Sequence, residues 1–417
     1  MATSIEIVSV GDEVTGGAVV DSNAAFISET LGALGFETRW HTAVRDVVAD
    51  IVAALQAAVA RADAVVVGGG LGPTADDLTA GAAAKALGVP LERHAPTLER
   101  MRERFRAFGL TLTANNERQA DVPRGADVIE NRWGTAPSFS VELSGRPVFF
   151  LPGVPRELRP LVTKEIAPRL AARFKTPPRL LRVYKLMGIA ESHLDARVAD
   201  LHAAFPTCRF LFRTLFPENH LRVVIDAETP SARDDLRARI DAVVADRFPD
   251  FLYGHDTDTF VGVLQRELEA RGETIAIAES CTGGLLGSLW TERPGASRTF
   301  RGGVIAYAND LKSGLLGVDK NVIAAEGAVS EAVARAMANG VCARSGATYG
   351  LAVTGVAGPD GGTPEKPVGL VHVAVSSRAG ETSRARTFPG DREQVRRLGA
   401  YMALQLLWDF LRKAPRP

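Results

Sequence analysis

Residues 275–284 read "IAIAESCTGG": an apolar alternation that runs out into Glu-Ser-Cys-Thr-Gly-Gly. Such a strand exit has three plain uses for Ser280, as a nucleophile, a helix cap or a small turn residue. Ser280 or Thr282 could cap a helix starting near Gly283, and for a lone serine the cap is the commoner use. The surrounding chain argues for chemistry. "YANDLK" places Tyr307, Asn309 and Lys312 just after another strand, and "AVTGVAGPDGGTPEKPVG" (352–369) is too long and particular for a plain connector. A serine must lose its proton to attack, so a base is needed. His255 falls in a connector and His372 inside the apparent strand "LVHVAVS", which disfavours a Ser-His-Asp triad. A buried lysine of lowered pKa or a tyrosine is then the expected base, Lys312 or Tyr307. Backbone N–H groups at Thr282 and Gly283 lie where an oxyanion hole or phosphate cradle would be. "GDREQVRR" sets Arg392, Arg396 and Arg397 at the start of the last helix, as a solvated basic face or as a grip on phosphate.

A second constellation is "VVVGGGLGPTADDLT" (65–79), an apolar run entering a glycine-rich loop that opens a helix. The glycines permit positive φ and close backbone approach, and a helix start offers free N–H groups to an anion. The loop fits neither G-x-G-x-x-G nor G-x-x-x-x-G-K-[ST]. Asp77 or Thr79 as a cap would explain one polar residue; Thr74, Asp76, Asp77, Thr79 and the loop backbone together exceed that need. A phosphate or metal-assisted site is expected. "GDEVTGG" after the first strand, "DSNAAF" at the next helix, "NRWGTAP" and "LPGVPRE" mark further turns that could gather there, since open α/β sheets bind ligands beyond the carboxyl ends of their strands.

The elements that must position these residues follow a βα rhythm. A strand at 4–10, helices at 22–35 and 47–61, a strand before 68, helices at 79–87 and 95–107 and a late strand in "RPVFFLPGVPRE" predict βαβ units and a mostly parallel sheet. "RFKTPPR" reads as a proline-marked linker near 170–176, and residues 180–252 as a small α+β unit. The rhythm resumes with a helix at 259–271, a strand at 274–279, a long helix from about 282 and a strand at 302–307. Helices near 311–316 and 330–344, strands near 349–354 and 368–376 and a last helix at 391–412 follow. The predicted fold class is α/β in three domains, 1–174, 178–252 and 257–417.

Composition sets the broad class. The chain has 417 residues, 46% hydrophobic and 24% charged, and its 49 Lys+Arg balance its 49 Asp+Glu. A neutral chain has no global field to steer nucleic acid. Cys208, Cys281 and Cys342 form no C-x-x-C pair, which argues against structural zinc or a disulfide framework and favours a reducing compartment. No apolar run approaches the roughly 20 residues that span a bilayer. The amino terminus lacks the charge and apolar core of a signal peptide, so a cytoplasmic location is expected.

With these motifs assembled, the chain resembles the CinA (competence/damage-inducible) family over essentially its whole length, through "GDE", "GGGLGPTADDLT", "LPGVPRE", "AESCTGG", "YANDLK", "GAVSE", "TGVAGPDGGTPEKPVG" and "GDREQVRR". The resemblance implies an amino-terminal molybdopterin-binding-like α/β sandwich, a KH-like middle domain and a carboxy-terminal amidase domain. The last resembles nicotinamide mononucleotide deamidase, which releases ammonia to leave nicotinate mononucleotide without a cofactor. Ser280 falls on the family's serine, Tyr307, Asn309 and Lys312 on its Y-x-N-x-x-K element, and Thr354 to Gly362, with Gly355, on its glycine-rich loop. Thr282, Gly283 and Gly284 would bind the substrate and Arg396 would hold the 5′-phosphate.

The amino-terminal part resembles domains that hydrolyse ADP-ribose to AMP and ribose 5-phosphate with a divalent ion, a monovalent ion being a further candidate. Asp12, Asn23, Gly69, Gly70, Gly72, Thr74, Asp76 and Gly153 would bind the nucleotide. Asp77 is the first candidate metal ligand and Asp76 the second. The same fold handles molybdopterin, which stands as an alternative. Residues 180–252 hold no G-x-x-G clamp for RNA, so that region is expected to be a scaffold or a dimer contact, and the family implies a homodimer. A competence or DNA-damage partner protein with vestigial pockets is the reading from another class; the intact Ser280, Lys312 and phosphate loops speak against it.

Overall fold

The computed structural model describes residues 3–176 and 179–413. Pro177 and Pro178 of the expected linker lie outside the described residues. The chain divides into two compact units, Met1–Leu181 with Ile225–Asp234 and Arg182–Val224 with Asp235–Pro417. In this division the region 178–252 lies for the most part in one unit with 257–417.

The first unit is built on strands β1 (Ser4–Val10), β2 (Glu37–Val44), β3 (Ala64–Gly68), β4 (Leu91–Arg93), β5 (Asp121–Pro123), β6 (Asp127–Ile129), β7 (Ser138–Leu143) and β8 (Arg146–Leu151). Its main sheet has the order β2-β1-β3-β8-β7-β6, with β4 and β5 in a separate ribbon. β2, β1, β3 and β8 run parallel, β7 is antiparallel to β8, and β6 is antiparallel to β7. The run "AVVV" is apolar at every position because both sheet faces are covered. Val65 and Val67 pack with Ile51, Leu55 and Ala58 of the helix Val48–Arg61. Ala64 and Val66 pack on the other face with Ile27 and Leu31 of the helix Ser22–Gly32. The chain leaves β1 toward β2 on one side and returns to β3 on the other, so the carboxyl ends of β1 and β3 form a switch point.

In the second unit β9 (Leu180–Met187), β10 (Cys208–Leu215), β11 (Glu218–Ile225) and β12 (Leu252–His255) make a four-stranded sheet in the order β10-β11-β9-β12. β13 (Ile275–Glu279), β14 (Phe300–Ile305), β15 (Tyr349–Gly355), β16 (Leu370–Ser377) and β17 (Gly380–Thr387) make a five-stranded sheet, β14-β13-β15-β16-β17. β13 is parallel to both neighbours, and β15, β16 and β17 are antiparallel in series.

Side chains alternate across a strand, and the two faces of this sheet differ in residue size. Ile275, Ile277, Leu351, Val353, Val371 and Val373 meet the helices Phe260–Arg271, Leu285–Thr291 and Arg392–Lys413. Ala276, Ala278, Ala352 and Ala374 meet the helix Glu331–Ser345. Small residues let that helix lie close: a Cβ on Gly350 would sit 2.0 Å from the Ala338 carbonyl oxygen.

Most elements fall within a few residues of the sequence reading. The helix expected to run long from about 282 is short, Leu285–Thr291, with Pro294-Gly295 close behind it. β17 and the helix Lys320–Glu326 were not expected; among the described residues β17 is a polar edge strand paired to β16, and the helix is short, with only Val322 and Ile323 half-buried against the core.

Candidate functional site

At the exit of β13 the backbone carries the ladder one residue further, Ser280 donating its N–H to the Val353 carbonyl at 3.0 Å. The alternation then separates the next side chains. Cys281 falls in the large-residue core beside Ile277 and Leu286, where burial pushes its thiol up to about 12 and favours the inert protonated form. Ser280, in step with Ala276 and Ala278, is 8% exposed, and its hydroxyl takes no hydrogen bond among the described residues.

Neither Ser280 nor Thr282 caps the following helix. Glu279 does, from a position only 3% exposed. One carboxylate oxygen accepts from Gly284 N and Leu286 N, both at 3.0 Å, and the other from Gly287 N at 2.8 Å. These charge-assisted bonds satisfy the orphan amides of the helix start. Glu279 was not among the residues singled out in the sequence, although it sits in step with Ile275 and Ile277, on the face where that helix packs.

The turn between β13 and the helix uses positive φ at two successive glycines, Gly283 at 60° and Gly284 at 96°, a conformation side chains resist. The expected anion hole at Thr282 and Gly283 is redistributed by this turn. Gly283 N–H bonds the Ser280 carbonyl at 3.1 Å and Gly284 N–H bonds Glu279. Among the described residues, the N–H groups of Cys281 and Thr282 donate to no other residue. The Thr282 hydroxyl is buried without a partner, and its carbonyl accepts from Arg396 Nη2 at 2.7 Å.

Lys312, on the helix Asn309–Leu316, is 1% exposed. Its Nζ donates to the carbonyls of Ala306 at 2.9 Å and Tyr307 at 3.1 Å. Ala306 in turn donates its N–H to the Glu279 carbonyl at 2.8 Å, which brings the lysine to the exit of β13. Burial lowers the Lys312 pKa, a nearby Cys281 opposing weakly. A neutral amine has two N–H bonds and one lone pair; with both N–H bonds on carbonyls, the lone pair is the part left to accept a proton.

Tyr307 is 58% exposed, and its phenol oxygen accepts from Arg392 Nη2 at 3.0 Å, while Arg392 Nη1 holds the Gly358 carbonyl at 2.7 Å. Between the two predicted bases, the buried one is Lys312. Asn309 is exposed at the helix start. Thr354 gives its hydroxyl to the Ala328 carbonyl at 2.9 Å, tying β15 to the turn before the helix Glu331–Ser345. Gly355 lets β15 pass Leu370, whose carbonyl oxygen would be 2.7 Å from a Cβ there.

In the first unit a cleft of 510 Å³ opens at the carboxyl ends of β1, β3 and β8. Its wall carries Asn23, Gly69, Gly70, Gly72, Asp76, Asp77 and Gly153 of the expected set. Gly69 is forced, since a Cβ would fall 2.1 Å from the Val10 carbonyl oxygen. Asn23 Nδ2 bonds the Gly153 carbonyl at 2.7 Å and Asn131 Nδ2 bonds Glu157 at 2.7 Å, so the expected turns do converge.

Asp77, the expected metal ligand, spends its carboxylate on the loop itself. It accepts from Gly72 N at 2.6 Å, Thr74 N at 2.7 Å and Thr74 Oγ1 at 2.5 Å. Asp46, unforeseen although it follows β2 as Asp12 follows β1, lines the cleft and stands beside Asp12. Asp12 and Asp46 exchange backbone-to-carboxylate bonds at 2.9 and 3.3 Å. Burial raises the Asp46 pKa, and the like charges of Asp12, Glu13 and Asp76 raise it further against a bond from the Asp12 amide. Glu13, Asp21, Asp46, Asp76, Asp77 and Glu157 line the cleft, and among the described residues no Lys or Arg does. A divalent cation fits that field. No three His, Cys, Asp or Glu side chains among the described residues converge to hold one alone, so ligand oxygens would complete its shell, as is usual for magnesium.

The comparisons agree with this division. Residues 6–172 match the family described as "Probable molybdopterin binding domain" and residues 258–411 the "CinA C-terminal domain". A CinA-like protein of Anaeromyxobacter sp. (strain Fw109-5) is 47% identical over 98% of this chain and 99% of its own length. A CinA-like protein of Myxococcus xanthus is 41% identical over 99% of each. Among solved structures, the competence damage-inducible protein A of Klebsiella pneumoniae is 33% identical over 37% of this chain and 97% of its own, with a TM-score of 0.37. These relatives align over nearly the whole chain, and the chain belongs to the CinA family.

Proposed function

We propose that the carboxy-terminal region is a serine amidohydrolase that converts nicotinamide mononucleotide and water to nicotinate mononucleotide and ammonia. The observation that carries this reading is that Glu279 takes over the helix cap. Ser280 is left with a free hydroxyl at the strand exit to which the Ala306 amide is tied, and the carbonyls of Ala306 and Tyr307 hold the buried Lys312 amine, whose pKa burial lowers.

The Ser280 oxygen attacks the carboxamide carbon as its proton passes to the Lys312 amine. The amide oxygen gains the negative charge and is held by the N–H groups of Cys281 and Thr282. Lys312 returns the proton to the departing nitrogen, the C–N bond breaks and ammonia leaves. Water then attacks the nicotinoyl ester, with Lys312 again taking and returning a proton, and frees Ser280 and the carboxylate product. The 5′-phosphate would be met by Arg392 or Arg396, both at the start of the last helix. Ammonia release from nicotinamide mononucleotide tests the reading. Release by the wild type and none by Ser280→Ala support it; full activity in that variant removes Ser280 from the mechanism.

For the amino-terminal unit we propose divalent-ion-dependent hydrolysis of ADP-ribose to AMP and ribose 5-phosphate. A cleft lined by acids and without Lys or Arg cannot attract a diphosphate unaided. Asp46 and Asp76, with Asp12 behind them, would hold the ion, whose contribution is to screen and polarise the diphosphate. The glycine loop brings backbone close to the ligand, and Asp77 keeps that loop shaped. Molybdopterin handling is the second reading, supported by the match over residues 6–172. ADP-ribose with magnesium or manganese, assayed for AMP, separates the two; no AMP with any divalent ion leaves the molybdopterin reading.

Nicotinamide mononucleotide and ADP-ribose are thus the proposed partners, without a role for nucleic acid, and the proposed assembly is a homodimer. No helix among the described residues is long and apolar enough to cross a membrane; a cytoplasmic setting is part of the proposal.

A further inference from the structure

We infer that Glu279 is the positioning residue of the Ser280 centre; this rests on the amidase reading above. The side chain is 3% exposed and both of its oxygens are engaged, on the amides of Gly284, Leu286 and Gly287 at 2.8–3.0 Å. Its own carbonyl accepts from Ala306 N at 2.8 Å, and the following residue, Ser280, is pinned to Val353 at 3.0 Å. One residue therefore fixes three things: the end of β13, the start of the helix Leu285–Thr291 and, through Ala306, the strand exit whose carbonyls hold Lys312.

The physical need is specific. A short helix starting on a left-handed glycine presents amides that must find an acceptor. The nearest hydroxyls, those of Ser280 and Thr282, would ordinarily serve, and a capping serine is a poor nucleophile because its lone pairs are spent and its rotamer is fixed. Glu279 reaches the same amides from the opposite face of the strand. Its charge is matched by three N–H dipoles, so a buried carboxylate one residue from the nucleophile is tolerated. The turn it clamps carries the amides of Cys281 and Thr282, which donate to no other residue among those described, and holds them beside Ser280.

Glu279→Gln keeps the side-chain length but sets an NH₂ donor against backbone donors. Displacement of a reacting group by about 1 Å costs on the order of 10²-fold in rate. The expected result is a loss of about that size in kcat for nicotinamide mononucleotide, with KM within about threefold because the arginines are untouched. The alkaline rise of the pH–rate profile, which Lys312 sets, stays in place. A second arm needs no substrate: the rate of covalent labelling of Ser280 by a fluorophosphonate, read by mass spectrometry, falls in parallel.

Wild-type labelling and kcat in Glu279→Gln, each within threefold, overturn the inference. So does a loss confined to thermal stability, or one in which KM rises while kcat holds. If the glutamine variant does not fold, Glu279→Asp, whose shorter arm cannot reach all three amides, is read by the same criteria. A wild-type protein that labels at Ser280 yet releases no ammonia would refute the amidase reading, and the labelling arm would still decide the role of Glu279.

Discussion

Lys312 is where burial, hydrogen bonding and chemistry meet in one side chain. Its pKa is lowered because water is excluded, so the unfolded chain binds its proton more tightly than the folded one. Between the lowered folded value and the ordinary 10.5, stability therefore rises with pH, and it is lost as pH falls through that window. Lys312→Met is expected to flatten this slope in thermal melts across alkaline pH. It should also cut ammonia release by about 10²–10⁴-fold, the usual range for a general base. In the wild type, kcat/KM should rise along a limb centred below 10.5, the ordinary lysine value; a profile flat through that region would take Lys312 out of the proton path. Ser280→Ala should abolish turnover by at least about 10³-fold with melting unchanged. Ser280→Cys tests whether the hydroxyl is needed for its chemistry or only for its size. Cys281→Ala should leave kcat within a few-fold, since that thiol is pushed up to about 12 in the core.

At the scale of elements, the alternation in "IAIAES" does more than make a strand. The large residues build one core and the alanines admit a close helix on the other side. Gly340 extends this approach: a Cβ there would fall 1.8 Å from the Leu316 carbonyl oxygen, at the end of the helix that carries Lys312. Gly340→Ala must push that helix away, at a cost of about 1–3 kcal/mol. The expected signature is a lower melting temperature together with a lower kcat, because Lys312 moves with its helix. A normal kcat in a destabilised variant would show that the helix shifts as a body without disturbing the site. The strand and helix periods were legible in advance because they follow from local burial. The cap was not, because the sequence near Gly283 offered two ordinary capping hydroxyls, and choosing Glu279 required knowing which strand face the helix packs on.

For the whole molecule, two compact units carry the two proposed sites, which have opposite electrostatic needs: an acidic cleft in one, and Ser280 and Lys312 with flanking arginines in the other. Loss of Ser280 should therefore leave the proposed ADP-ribose hydrolysis unchanged. Asp46→Asn should relieve like-charge repulsion and weaken the response to divalent ions. Wild-type protein should melt higher with magnesium, by about 2.7 kcal/mol at 100-fold over the dissociation constant, and the variant by much less; an equal shift in both would place the ion elsewhere. The α/β class, the parallel strands, the glycine loops, Ser280 at a strand exit, and Asp77 and Lys312 in the polar motifs that follow strands were all readable from the chain, since each expresses periodicity or a backbone requirement at one position. The structure alone decided what each polar group spends its bonds on. Asp77 closes its own loop, Tyr307 leans on Arg392, Gly283 and Gly284 give up their amides, and Glu279 frees Ser280. Tyr307 and Arg392 are distant in sequence; the other partners are near neighbours, and which of them is chosen is allotted by turn geometry and strand face, which spacing along the chain does not carry.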